Sequence, residues 1–423
     1  MLNSVIICYY RIVLTYIVLK ECIQIIRRAL VVFSIFLLAS CNTLENEELD
    51  KSTSETINQL KEIKSGKETE IIIPREPEIY TASVSAIGDI LIHNAVYEDA
   101  NIAPNEYDFS KMFELVKPLL ESTDLTIANS ESIIGGQEIG LSSYPQFNSP
   151  YEVGDVLKDV GVDVVTMANN HTLDRGEQAI INATNYWDKL GITYVGAATS
   201  QKEADIIKTM TINNIVFSFL SYTYGTNGLK TPEGKEYLVN YIDEEKMIED
   251  ISEARKMSDV VIVNLHNGNE YARMFNEEQE RIVQLASDYG ADIVFGHHPH
   301  VLQPAKWYTG VNGNKTFVIH SLGNFISAQD KLYRQIGAII QLDITKTISY
   351  DKKNNEIISI DITNPALIPT YVRFSNWKNF KIIPMYQLNK DDLNDHQELY
   401  EEIKSHMSQF VPEIQYLEPV NSK

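Results

Sequence analysis

From Tyr80 onward, short apolar runs alternate with helical stretches, and the runs close on polar clusters. The runs are Ser83–Ile87, Leu125–Ala128, Val162–Ala168, Ile215–Ser221, Val260–Leu265, Ile293–Phe295 and Phe317–Ile319. Runs this short, bounded by turn residues, have the length of buried strands. The stretches between them carry apolar residues at helical spacing. Gly176–Leu190 sets Ile180, Ala183, Trp187 and Leu190 on one face, and Asp243–Met257 does so with Met247, Ile251 and Ala254. Asn276–Tyr289 opens on an Asn cap and stops at Gly290. Strand and helix in alternation predict an α/β domain.

The polar residues that close the runs predict where chemistry gathers. Asp89 and His93 follow the first run, and Asn129 and Glu131 end the second. Asn169, Asn170 and His171 end the third, His266 and Glu270 another, and His297, His298 and His300 follow Phe295. In α/β sheets, ligands collect beyond the carboxyl ends of strands. Of the nine histidines, seven lie in these regions (His93, His171, His266, His297, His298, His300 and His320). One such histidine alone would more often be structural; seven argue for a shared site. His396 and His406 fall in a predicted surface helix.

Past the last run, Ile336–Ile344 and Ile357–Ile362 read as strands around the polar turn Asp351–Asn355, with Ala366–Val372 as an extension. Asp391–Phe410 is amphipathic, with Leu393, Leu399, Ile403, Met407 and Phe410 on one side. That pattern predicts a helix lying on the body, or a contact with a membrane or partner.

The chain has 423 residues, 44% of them hydrophobic, enough for a large core without a disulfide framework. Its formal charge is −22. Residues 1–41 hold four basic groups and one acid, which leaves 32 basic and 57 acidic residues, or −25, on the rest. That balance opposes a nucleic-acid partner and suits metal ions or cationic surfaces.

All three cysteines (Cys8, Cys22 and Cys41) lie within residues 1–41. Arg27-Arg28, the apolar run Ala29–Leu38 and the small residues before Cys41 have the layout of a secretory signal. Leu38-Ala39-Ser40-Cys41 resembles a bacterial lipobox, which implies lipidation of Cys41 and an extracytoplasmic protein on the bacterial cell membrane. A plain transmembrane anchor is the alternative, and the earlier apolar stretch Val5–Leu19 leaves the start codon open. Residues 42–79, rich in Glu, Lys, Ser and Thr, read as a flexible tether. Residues 80–375 then form the folded domain, and 376–423 a C-terminal extension.

The motifs in order are Gly88-Asp89; Asn129-Ser130-Glu131; Ala168-Asn169-Asn170-His171 with Asp174 and Gly176; His266-x-Gly268-x-Glu270-Tyr271; Gly296-His297-His298-Pro299-His300; and Ser321-Leu322-Gly323-Asn324-Phe325. Over about residues 82–345 this series resembles the CapA-type poly-γ-glutamate capsule biosynthesis family. That family is similar to the calcineurin-like metallophosphoesterases, which implies a four-layer α/β/β/α sandwich around a site for two divalent ions, Mn, Fe or Zn. The resemblance implies metal ligation by Asp89, His93, Glu131, Asn170, His266, His298 and His300, with Glu131 bridging. It implies His171 as proton donor or phosphate holder, oriented by Asp174, and substrate contacts from Asn129, Glu270, Tyr271 and Asn324. Glu270 could equally hold a ligand histidine, and Ser321–Phe325 could be a closing loop or structural. The implied activity is metal-dependent hydrolysis of a phosphoester or an amide-linked polymer; the other reading is a polymer-binding component working with membrane synthase subunits. The residue two positions after Asp89 is Leu91, and His93 stands two further on. Offsets of two and four share a strand face, so His93 could still reach.

Overall fold

The computed structural model describes residues 75–418. Cys41, the signal or anchor over 1–41 and nearly all of the tether over 42–79 lie outside the described residues.

The chain enters through β1 (Glu78–Ile90), helix α1 (Asn94–Ala100) and a small ribbon, β2 (Asn101–Ala103) with β3 (Glu106–Tyr107). β4 (Leu125–Asn129), α2 (Glu152–Asp159), β5 (Val164–Thr166), α3 (Gly176–Leu190) and β6 (Thr193–Val195) follow. Next come β7 (Lys208–Ile212), β8 (Ile215–Thr223), α4 (Glu244–Met257), β9 (Val260–His266), α5 (Glu277–Asp288) and β10 (Ile293–His297). The remainder is β11 (Leu302–Thr309), β12 (Lys315–Leu322), β13 (Asn324–Ile326), β14 (Ile336–Tyr350), β15 (Glu356–Ser375), β16 (Lys378–Pro384), α6 (His396–Met407) and β17 (Gln415–Tyr416).

Two sheets result. The first runs β16-β15-β14-β1-β4-β5-β6, with β13 on β1 and β17 on β15; the second runs β11-β12-β10-β9-β8-β7. β1, β4, β5 and β6 are mutually parallel, as are β8, β9, β10 and β12. Antiparallel strands flank both sets: β14 beside β1, β7 beside β8, and β11 beside β12.

Side-chain alternation explains how the sheets sit. In β4, Leu125 and Ile127 join a core shared with Phe217, Phe219, Ile262, Phe295 and Ile319 of the second sheet, while Ala128 faces the helices. In β9, Val260 and Ile262 face that shared core, and Val261, Val263 and Leu265 face α4 and α5. A period of two therefore assigns one strand face to the opposite sheet and the other to helices. Each fully buried Phe or Ile contributes about 1.5–3 kcal/mol relative to exposure. The result is a mixed α/β architecture, as the alternation predicts.

The helices end where their sequences specify. α3 buries Ala179, Ile180, Ala183 and Trp187, and stops at Gly191, whose φ of 65° is left-handed. α5 begins with a reciprocal capping box between Asn276 and Gln279, and Asp243 caps α4 by accepting from Lys246 N.

Some boundaries differ from those read off the sequence. β5 spans only Val164–Thr166, three residues within the seven-residue run. β14 and β15 are continuous strands of 15 and 20 residues. The break expected before Ala366 is a register shift opposite Gln341 and Asp343, with Asn364 at φ 52° and Pro365 next to it. A bulge absorbs the proline without ending the strand. α6 buries Leu399, Tyr400, Ile403 and Met407 against the inter-sheet core, and His406 is half-buried there with Nε2 3.0 Å from Arg273 O.

Candidate metal centre

The parallel strands of both sheets deliver their carboxyl ends to one rim. Gly88 permits the first placement: a Cβ there would collide with the Gly323 carbonyl, which accepts from Asp89 N at 2.8 Å. β1 and β13 therefore run close together, and Asp89 ends buried beside Asn324.

Asp89 sits in a dense network. Asn129 Nδ2 donates to Asp89 Oδ1 at 2.8 Å, and Asn129 Oδ1 accepts from Thr166 Oγ1 at 3.1 Å. His300 Nδ1 lies 3.0 Å from Asp89 Oδ2 and 3.1 Å from Asn324 Oδ1. His297 Nδ1 lies 3.4 Å from Asp89 Oδ1. Burial pushes the Asp89 carboxyl upward, but the imidazoles of His297 and His300 prevail and hold it well below the usual carboxylate range.

Glu131 is the opposite case. It is fully buried, and neither Oε1 nor Oε2 has a hydrogen-bond partner among the described residues. His266 Nε2 and His300 Nε2 each stand 3.6 Å from its Oε1. Burial, and then the charges of Asp89 and Glu270, push its carboxyl well above the ordinary range. His266 is held well below the usual histidine range by burial and by His298, and His298 falls to about 3 for lack of solvation and proximity to His300. Both imidazoles are therefore neutral at pH 7, the state that ligates a metal. Asn170 Oδ1 lies 2.8 Å from His266 Nε2, which brings the amide into the same cluster.

Three ligand sets lie within 4.8 Å: Glu131, His266 and His298; Asp89, Glu131 and His300; and Glu270, His298 and His300. The first two share Glu131. Two orphaned carboxylate oxygens, an unpartnered His298 Nδ1 and a donor set of carboxylates with imidazoles fit a divalent transition ion.

The backbone adds its own signature. His298 and His300 adopt φ of 95° and 58°, and Tyr271 adopts 66°. Such left-handed conformations cost non-glycine residues about 1–3 kcal/mol each and persist where the surroundings enforce them.

His93 enters none of these ligand sets. Its Nδ1 faces Leu91 O at 3.2 Å and Ala328 N at 3.3 Å, and burial holds its pKa at about 4. Its ring meets Phe147 edge-on at 5.1 Å, and Phe147 meets His171 at 4.7 Å. His171 Nδ1 lies 2.7 Å from Asp174 Oδ2, which also accepts from Phe147 N. Asp174 thus orients one imidazole and anchors the loop beside it. Arg175 is engaged elsewhere, donating to the carbonyls of Gly140 and Ile139 and to Ser142 Oγ.

The remaining predicted residues divide. Asn129 acts on Asp89 and Asn324 on His300, so each holds a ligand candidate. Tyr271 is partly exposed beside His300, with ring centroids 6.1 Å apart. Glu270 is exposed and joins a ligand set of its own. His297 belongs to the Gly296–His300 motif read from the sequence, whereas nothing in the sequence points to Tyr224 for this cluster. Both lie in it: His297 through Asp89, and Tyr224 through its ring 4.6 Å from His298. His320 lies apart, stacked on Phe275 at 3.7 Å and bonded to Tyr308 and Pro304.

The family described as Bacterial capsule synthesis protein PGA_cap matches residues 83–329. The PGA biosynthesis protein CapA of Bacillus subtilis (strain 168) is 31% identical over 324 residues, which cover 73% of this chain and 78% of that protein. The capsule biosynthesis protein CapA of Bacillus anthracis is 27% identical over 288 residues, covering 64% and 66% respectively. Among solved structures, the 5'-nucleotidase precursor of Thermus thermophilus aligns with 67% of this chain and 54% of its own, at 10% identity and a TM-score of 0.36.

Proposed function

The chain belongs to the bacterial capsule synthesis family PGA_cap, and from that membership we propose that it serves poly-γ-glutamate synthesis or export at the cell surface through a two-metal, hydrolase-type site. The observation that carries the site is Glu131, a buried carboxylate with both oxygens unpartnered among imidazoles. Burying such a group without compensation costs several kcal/mol, and a cation supplies the compensation.

Asp89, Glu131 and His300 would hold one ion, and Glu131, Asn170, His266 and His298 the other. Ions in such a pair polarise the scissile group and lower the pKa of water, the chemistry of hydrolysis. The chain's own residues do the rest. Asn129 and Asn324 fix Asp89 and His300. Asp174 takes up His171 Nδ1, which leaves Nε2 to carry a proton to the leaving atom of an amide or phosphoester. Lipidation at Cys41 and membrane synthase subunits as partners complete the proposal; no helix among the described residues is long and apolar enough to cross a membrane.

A second reading, polymer binding without turnover, draws on His93, whose Nδ1 faces Ala328 N while its ring stays outside the ligand sets. The two readings part on one comparison. Protein purified without chelators is analysed by elemental mass spectrometry and assayed on phosphodiesters and poly-γ-glutamate. Hydrolysis, a drop of about 10²–10⁴-fold in His171→Ala, and unchanged metal content support the enzyme. Bound metal with no turnover on either substrate favours the binding component. Absence of metal after reconstitution with Mn, Fe and Zn removes the metal-centred reading altogether.

A further inference from the structure

Arg334 stands beside the metal centre, over the ring of Tyr271. Among the described residues, Arg334 is the one arginine whose guanidinium meets neither a carboxylate nor a carbonyl. Arg75, Arg255, Arg273, Arg281 and Arg373 are ion-paired, and Arg175 is taken up by carbonyl groups. The Arg334 guanidinium instead lies 3.3 Å from the centroid of the Tyr271 ring.

We propose that Arg334 is the anion-recognition residue of this site, receiving an oxyanion of the substrate beside His300 and Tyr271. The inference rests on the preceding reading of the site and names what its substrate must present: a free carboxylate of a γ-linked glutamate chain or a phosphoryl oxygen.

Two connections tie Arg334 to the ligand set. Through its side chain it covers Tyr271, whose ring neighbours His300 and whose amide donates to Pro299 O at 2.7 Å, within the His298–His300 turn. Through its backbone it accepts from Asn324 Nδ2 at 2.8 Å, while Asn324 Oδ1 faces His300 Nδ1 at 3.1 Å. One asparagine thus spaces the cation from a ligand candidate. A guanidinium held on an aromatic face keeps its in-plane N–H donors for a planar oxyanion, which it can grip in bidentate fashion.

Charge supplies the need. The chain beyond residue 41 carries 32 basic and 57 acidic residues. A body of that sign repels a polyanion unless local positive charge receives it. Arg334 is partly exposed and so reachable from solvent.

The test titrates the full chain, reconstituted with Mn²⁺, with a γ-glutamate oligomer and separately with inorganic phosphate, by calorimetry. Wild type is compared with Arg334→Gln and Arg334→Lys, with metal content and melting temperature recorded for each. The expected result is at least tenfold weaker binding in Arg334→Gln, partial recovery in Arg334→Lys, a smaller difference at high salt, and unchanged metal content. Weakening with the oligomer assigns a carboxylate, and weakening with phosphate alone assigns a phosphoryl group. Equal affinities of wild type and Arg334→Gln for both probes overturn the proposal and leave the preceding reading standing. Failure of the wild type to bind either probe overturns both. Lost metal or a lowered melting temperature in both variants makes Arg334 a support for Tyr271 and overturns its role in recognition.

Discussion

The two ends of the parallel strands use carboxylates in opposite ways. At the amino ends, Asp124, Asp163, Asp259 and Asp292 each stand just before a strand and accept a backbone N–H from the neighbouring strand: Ser83 at 2.8 Å, Thr126 at 3.0 Å, Val216 at 2.8 Å and Val261 at 2.7 Å. Asp259 is also paired with Lys346 at 2.7 Å and Asp292 with Arg255 at 2.7 Å. At the carboxyl ends, Glu131 is fully buried, deeper than any of these four, and has no hydrogen-bond partner for either oxygen among the described residues. The chain partners all four acids at the amino ends, and at the carboxyl ends it partners Asp89 but leaves Glu131 short. Partners offset part of a carboxylate's burial cost; one left short in the interior bears that cost until a ligand arrives.

The largest effect that tests this contrast is on metal content. His298→Ala/His300→Ala is expected to take bound transition metal from about two ions per chain to none by elemental mass spectrometry, while Asp259→Ala leaves it unchanged. Metal retained in the double variant would erase the distinction between the two ends.

Stability should show the reverse pattern. Asp259→Ala leaves Lys346 without its partner, both side chains being only 12–13% exposed, and is expected to cost about 3–5 kcal/mol in urea unfolding. Asp259→Ala/Lys346→Met should recover much of that loss, since removing both charges spares an unpaired ammonium. Glu131→Gln in chelator-treated protein should cost nothing measurable, because the glutamine carries no charge to leave unpaired.

A smaller effect is predicted at Asn324, whose Oδ1 lies 3.1 Å from His300 Nδ1. Asn324→Ala should weaken metal affinity about 10–100-fold in competition with a chelator, without abolishing binding. Unchanged affinity would detach Asn324 from the centre.

The smallest effect concerns pH. Burial raises Asp292 to about 6, against the pull of Arg255. Between about pH 4 and 6 the unfolded chain has lost this proton while the folded chain still holds it, so stability falls as pH rises through that window. The wild-type curve should show this slope, on the order of 1–2 kcal/mol, relative to Asp292→Asn, and parallel curves would contradict it.

Much of the fold is legible in particular stretches of sequence. Ile180, Ala183 and Trp187 at helical spacing and Gly191 after them specify α3 and its end without reference to the rest of the chain. Leu125 and Ile127 alternate as a buried strand must. Legibility fails where a neighbour overrides the local signal, as at Pro365, which β15 carries inside a bulge. The centre divides in the same way. Asp89, Glu131, Asn170, His266, His298 and His300 stand out because strand ends with histidines are rare by chance, and the fold brings all six together. The facing of His93 toward Ala328, the entry of Glu270 into a ligand set, and Arg334 on Tyr271 depend on loop dihedrals and on residues far apart in the chain.

The sequence by itself determined which segments become strands and helices, which strand face is apolar, and which residue types close each strand, because periodicity, capping and turn chemistry are local. Only the tertiary structure decided that two separate sets of strand ends meet at one rim, that Glu131 is left without partners there, and that the Arg334 guanidinium stands beside the centre, over Tyr271. Those are properties of distance and burial, set when the two sheets close over one core, and no single segment contains them.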